Sequence, residues 1–183
     1  MSAKKLHLGC GLKIIKGFVN IDLRPVDKNV HVDNVATLET IQDNSVDLIY
    51  ACHVLEHFGR HEIHDVLQCW YNKLKIGGVL RLSVPDLRKV ASLYSGGAYS
   101  LDKMYGFLYG GQNHDFDYHK MGFDTETLRE SLWKVGFREF APWDWRETEH
   151  AKYDDFSQAY LPHMNKEDGL LMSVNLEAIK CVL

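Results

Sequence analysis

Leu6-His7-Leu8-Gly9-Cys10-Gly11 is the stretch that decides how the rest of this chain is read. An apolar strand runs straight into the first two glycines, and glycines placed there let the backbone turn sharply and lie close against a ligand. Eleven residues beyond Gly11 comes Asp22, at the end of a second apolar run, Phe18-Val19-Asn20-Ile21, where a carboxylate can accept hydrogen bonds from a ribose diol. Together they form a candidate nucleotide-cofactor loop. A nicotinamide dinucleotide is disfavoured, because Lys13 stands where its fingerprint needs a third glycine and Asp22 arrives well before the required spacing of about 20 residues.

Outward from this bend, strands are expected at about 5–8, 19–23, 30–32, 46–51 and 79–84. Ten residues separate the first two, near the lower limit for a parallel crossover, so only one or two helical turns fit between them. Residues 46–51 are apolar except for Asp47, as in a strand buried on both faces. Ile63, Val66, Leu67, Trp70 and Leu74 recur at helical spacing within 61–75, and Gly77-Gly78 stop that helix before the next strand. Strand, helix and strand in this alternation predict an α/β sandwich on a mostly parallel sheet, with ligands outside the carboxyl ends of the strands. Gly9, Asp22, Asp33, His53 and Asp86 fall at such ends.

Beyond Pro85 the reading gives helices over 86–94 and 101–109, a Gly110-Gly111-Gln112 break, and a polar loop over 113–122 carrying His114, Asp115, Asp117, Tyr118, His119 and Lys120. Polar loops of this kind commonly carry substrate contacts. Asp124 is placed to cap a helix bearing Leu128, Leu132 and Val135, ended by Gly136. A strand over 137–143, a long connection over 144–169 and a last strand over 170–182 complete the chain.

The ordered blocks Leu6 to Gly11, Gly17-Phe18-Val19-Asn20-Ile21-Asp22, Asp43 to Tyr50, His53-Val54-Leu55-Glu56-His57, Leu74 to Leu80, Ser83-Val84-Pro85-Asp86-Leu87 and Ser173 to Lys180 resemble the class I S-adenosylmethionine (SAM)-dependent methyltransferases, in particular small, largely uncharacterised members. The resemblance implies a three-layer sandwich with a Rossmann-like, seven-stranded, mostly parallel sheet and an antiparallel C-terminal hairpin. It also implies one domain over 1–183, with an irregular substrate-side insertion at about 86–122. SAM would be the cofactor and S-adenosylhomocysteine its product, held by Gly9, Cys10, Gly11, Asp22, Leu23, Asp33, Asn34 and His53. In the resembled family the residues after strand three lie near the adenine, and those after strand four face the methionine part. From the residues alone, Asp33 serves equally well as a turn cap.

Length and composition agree with one core: 183 residues, 45% of them hydrophobic. A net charge of −4 gives no broad basic field, so neither nucleic acid nor an anionic membrane is the expected partner. Cys10, Cys52, Cys69 and Cys181 lack any C-x-x-C pairing, and no run reaches the roughly 20 apolar residues of a membrane span, so a soluble cytoplasmic protein with free thiols is expected. The oligomeric state is left open.

Methyl transfer from a sulfonium asks the protein to align an acceptor and, for a hydroxyl, to remove a proton, most often with histidine. His119 is the first choice for that base, Asp86 its orienter, and Tyr109, Gln112 and His114 the substrate contacts. Glu56 and His57 are expected to fix the loop. No metal is expected, since His61-Glu62-Ile63-His64 falls one residue short of the helical zinc motif. The expected reaction is O- or N-methylation of a small polar acceptor; the alternatives are a non-catalytic SAM-binding or scaffold module and transfer of another part of SAM.

Overall fold

The computed structural model describes residues 3–182, so the expected domain bounds at 1 and 183 lie outside the described residues. Strands β1 (Lys5–Leu8), β2 (Val19–Asp22), β3 (Val30–Val32), β4 (Val46–Cys52), β5 (Leu74–Pro85), β6 (Phe137–Pro142) and β9 (Ser173–Lys180) form one sheet in the order β3-β2-β1-β4-β5-β9-β6. The first five run parallel, and β9 inserts between β5 and β6, antiparallel to both. This is the expected Rossmann-like α/β sheet, with reversed pairings confined to its C-terminal edge.

Alternation along the strands gives the sheet two unlike faces. Leu6, Leu8, Ile21, Ile49, Ala51, Leu80, Leu82, Leu176 and Ala178 form one, packed under α1 (Ile63–Lys73) and α4 (Thr125–Lys134) through Ile63, Val66, Leu67, Trp70, Leu128 and Leu132. Asp124 caps α4 as expected, and Thr127 answers it in a reciprocal box. The opposite face is polar: His7, Asn20, Tyr50, Arg81, Asn175 and Glu177. Irregular chain covers it as a third layer. His150 lies on Tyr50 with ring centroids 4.2 Å apart, Tyr50 donates to Asp155 at 2.6 Å, and Asn175 donates to the Ser157 carbonyl at 3.0 Å.

Three expectations change. No helix forms between β1 and β2, because the Asn20 side chain ties the connection down instead: Oδ1 accepts from Ile15 N–H at 2.9 Å, and Nδ2 donates to the carbonyls of Ile15 and Phe18. Helix α1 ends at Lys73, since Leu74 is already extended and pairs with Val46. The last strand starts at Ser173; Leu170–Leu171 (β8) pairs instead with Tyr160–Leu161 (β7) from the long connection. Residues 86–122 fold as α2 (Leu87–Ser95), a 3-10 turn at Leu101–Met104 and α3 (Tyr105–Tyr109) around a small core of Val90, Met104 and Met172.

Candidate functional site

The sheet delivers its polar groups to the carboxyl ends of β1, β2, β3 and β4. Gly9 and Gly11 both take positive φ, +61° and +48°, which favours glycine. A Cβ on Gly9 would lie 2.5 Å from Val54 Cγ2, so the chain leaving β4 presses flat against the bend. Nothing lies within 4 Å of a Cβ at Gly11, where the loop is open. Asp22 holds the bend in place: its Oδ2 accepts from Gly11 N–H at 2.9 Å and its Oδ1 from Arg24 N–H at 3.0 Å. Each oxygen keeps a further lone pair for a ligand. Burial pushes the neighbouring Cys10 thiol up to about 12, which keeps it protonated and inert.

Asp33 is joined to β2 by its N–H, bonded to the Asp22 carbonyl at 3.2 Å. Its carboxylate accepts from the Thr40 hydroxyl at 2.6 Å and from the N–H groups of Thr40 and Asn34. Burial works against that charge, yet the Thr40 and backbone bonds leave the carboxyl below its ordinary value. Capping its own turn thus occupies much of Asp33. Asn34 Oδ1 accepts from Ala36 N–H at 2.9 Å, and Leu23 is 42% exposed at the mouth of β2.

The end of β4 carries a second cluster. His53 has φ +52°, bonds Ser173 Oγ through Nε2 at 2.9 Å and stacks on Phe156. Its other nitrogen stands 3.3 Å from Glu56 Oε1 without alignment as a hydrogen bond. Glu56 sits on the 3-10 turn Leu55–His57, and its backbone carbonyl takes the N–H groups of Lys120 and Met121, which docks the polar loop here. His119 is thereby brought to 3.9 Å from the same carboxylate oxygen, with its Nδ1 on the Phe107 carbonyl at 3.0 Å. His57 meets His119 edge-on and bonds the Tyr118 carbonyl. Burial lowers all three imidazoles, with nearby imidazoles adding to it for His53, which reaches about 3, and for His57; burial pushes Glu56 up to about 8.

The acid facing His119 is therefore Glu56. Asp86 instead caps α2, accepting from Lys89 N–H at 3.2 Å with the Lys89 ammonium at the same distance. Tyr109 and Gln112 line an open groove of about 520 Å³ with Leu101, Tyr105, Gly110 and Gly111. His114 is outside that lining, its Nδ1 taking Phe116 N–H at 3.3 Å. The Glu56 side chain and Ser173 escape sequence reading as site residues. The signal for Glu56 was its place in the block His53-Val54-Leu55-Glu56-His57, where it was expected only to fix the loop.

On a parallel sheet with a reversed β9 strand, a glycine bend after β1 and an acid ending β2 thus stand together at the carboxyl ends of the strands. Residues 6–82 match the family model described as a methyltransferase domain. No curated protein matches its sequence. The fold resembles a SAM-dependent methyltransferase from Archaeoglobus fulgidus (19% identity, TM-score 0.59, 97% of this chain and 86% of that one). It is similar also to a possible histamine N-methyltransferase from Thermotoga maritima (18%, 0.61, 98% and 83%). A third likeness is to phosphoethanolamine N-methyltransferase 2 of Haemonchus contortus, in complex with phosphomonomethylethanolamine and S-adenosylhomocysteine (16%, 0.55, 100% and 49%). The open backbone at Gly11 beside the Asp22 carboxylate leaves room for the ribose of a nucleotide cofactor.

Proposed function

We propose that the protein moves the methyl group of SAM to an oxygen or nitrogen of a small polar acceptor, and that it acts in the cytoplasm as one domain whose segment 86–122 is the acceptor side. One observation carries this reading: neutral imidazoles gather around a buried carboxylate directly beside Val54, the side chain that packs on the glycine bend. Bound SAM supplies an electrophilic methyl on its sulfonium.

The chain's own residues do the rest. Gly9, Cys10, Gly11 and Asp22 hold the nucleoside, with Leu23, Asp33 and Asn34 along its adenine edge. His53 closes the methionine end. Tyr109 and Gln112 border the groove from which an acceptor approaches, and His114 follows two residues further along the chain. The unprotonated nitrogens of the cluster, His119 Nε2 first among them, take up the proton that a hydroxyl or amine acceptor sheds. Alignment supplies the larger part of the rate, about 7–11 kcal/mol in favourable cases. A net charge of −4 favours a small molecule over nucleic acid as the acceptor. Among the described residues no helix is long and apolar enough to cross a membrane, and the free cysteines fit a reducing compartment.

The test is incubation with methyl-labelled SAM and metabolite extracts. Label is expected in a small polar product, and His119→Ala is expected to slow its formation with SAM affinity nearly intact. Calorimetric binding of SAM with label in no product would assign the chain to a non-catalytic SAM-binding module.

A further inference from the structure

The groups around Glu56 present only lone pairs to one another. Ser173 gives its hydroxyl hydrogen to the Phe156 carbonyl at 2.7 Å, so toward His53 its Oγ is an acceptor and His53 Nε2 is the N–H. His53 Nδ1 is therefore unprotonated, and it stands 3.3 Å from Glu56 Oε1. His119 donates Nδ1–H to the Phe107 carbonyl, which leaves its Nε2 unprotonated 3.9 Å from that oxygen. His57 donates Nδ1–H to the Tyr118 carbonyl at 3.2 Å, and its Nε2 also keeps a lone pair. Glu56 is 1% exposed and, among the described residues, neither carboxylate oxygen has a hydrogen-bond partner. A buried carboxylate ringed by lone pairs asks for a positive charge.

We propose that Glu56, His57 and His119 bind a divalent transition-metal ion, with His53 Nδ1 beside them as a fourth donor. One ligand atom from each of the three already lies within 4.8 Å of the others. Bonds of about 2.0–2.2 Å would draw such atoms to roughly 3–4 Å apart, so a contraction of about 1 Å closes the site. The Nδ1–H bonds of His57 and His119 to carbonyls are the outer contacts that orient metal-binding imidazoles. Imidazole with carboxylate favours zinc, manganese, iron(II) or cobalt over calcium and magnesium, which prefer all-oxygen sites. Glycine makes the approach of the third ligand possible: a Cβ on Gly110 would lie 3.0 Å from the His119 ring and strike the Asp117 carbonyl. A coordination position left open by these ligands would receive an oxygen of the acceptor. With the ion bound, His119 Nε2 is a ligand and the proton of the acceptor leaves by way of the ion rather than that nitrogen. That role rests on the methyl-transfer reading; the site does not.

The rival occupant is a proton on Glu56, and titration of the chelator-treated full-length chain with cobalt(II) separates the two. One equivalent should bind, giving a visible d–d band that zinc displaces. Glu56→Gln and His119→Ala should each weaken uptake by more than about 100-fold, beyond the loss of an outer-shell partner. His61→Ala, whose ring lies against Arg60 outside the cluster, should leave uptake unchanged. Circular dichroism checks folding, with His57→Gln replacing any variant that does not fold. No uptake by the folded wild type, or equal uptake by the variants, overturns the site in favour of the proton. Calorimetry with SAM keeps the readings apart: cobalt uptake without SAM binding retains the site and removes methyl transfer, whereas SAM binding without cobalt uptake removes the site alone.

Discussion

Asp22 steadies the glycine bend through the bond its Oδ2 accepts from Gly11 N–H at 2.9 Å, and the proposed ribose site gives the same carboxylate a second task. Its replacement by alanine should weaken S-adenosylhomocysteine binding by roughly 1.5–3 kcal/mol in calorimetry, the range for a hydrogen bond to a charged group. Unchanged affinity would take Asp22 out of the ribose site. Gly9→Ala tests the bend itself. The new methyl meets Val54 at 2.5 Å in a left-handed backbone, so urea unfolding should show a loss of about 1–3 kcal/mol, partly recovered by adding Val54→Ala. Both residues were legible from sequence because their partners follow within a few residues or across one strand pair. The importance of the Glu56 side chain was not. It arises when residue 119, 63 positions later, folds back so that Lys120 and Met121 bond the Glu56 carbonyl, and no local pattern encodes that return.

Elements were readable where each carries its own start and stop signals. Asp124 and Thr127 form a reciprocal cap on α4, and the caps and apolar spacing stand in the sequence together. Asp124→Ala should cost about 1 kcal/mol in chemical denaturation. The Thr127 bonds hold the Asp124 carboxyl down to about 2, so this contribution is present above the ordinary carboxylate range and fades as pH falls through it. A difference between wild type and variant that stays constant down to pH ~2 would show that the cap carries no charge-dependent part. Elements failed to read where long-range pairing overrides local preference. The stretch 170–182 looks like one strand, but Asp86 N–H takes the Met172 carbonyl and Met172 N–H bonds Ala159, which splits it into β8 and β9. The missing first helix has a similar origin, because Asn20, already in β2, satisfies the turn that a helix would otherwise have to form.

At the scale of the whole molecule, one face of the sheet is apolar under α1 and α4 while the other is polar under an irregular cover, an asymmetry with consequences for stability in acid. His150 sits in that cover among Tyr50, Phe18 and Trp143, 1% exposed, with neither ring nitrogen hydrogen-bonded among the described residues. Burial, then Arg81 nearby, lowers its imidazole to about 4, against an ordinary value of 6.5. The unfolded chain therefore binds the His150 proton before the folded one does, so stability declines as pH falls from about 6.5 and levels off below about 4. The loss at pH ~5 is on the order of 2 kcal/mol. Carboxylates held low by their partners, such as Glu149 at about 2, weaken the fold only below their ordinary range, so the two acid effects are separated along the pH axis. His150→Phe keeps a ring on Tyr50 and removes the titration. The variant should match or exceed wild type near pH 7.5 and gain on it progressively toward pH ~5 in urea melts. A gap that does not widen across that interval would mean that solvent reaches the imidazole and that the cover over the polar face is open in solution.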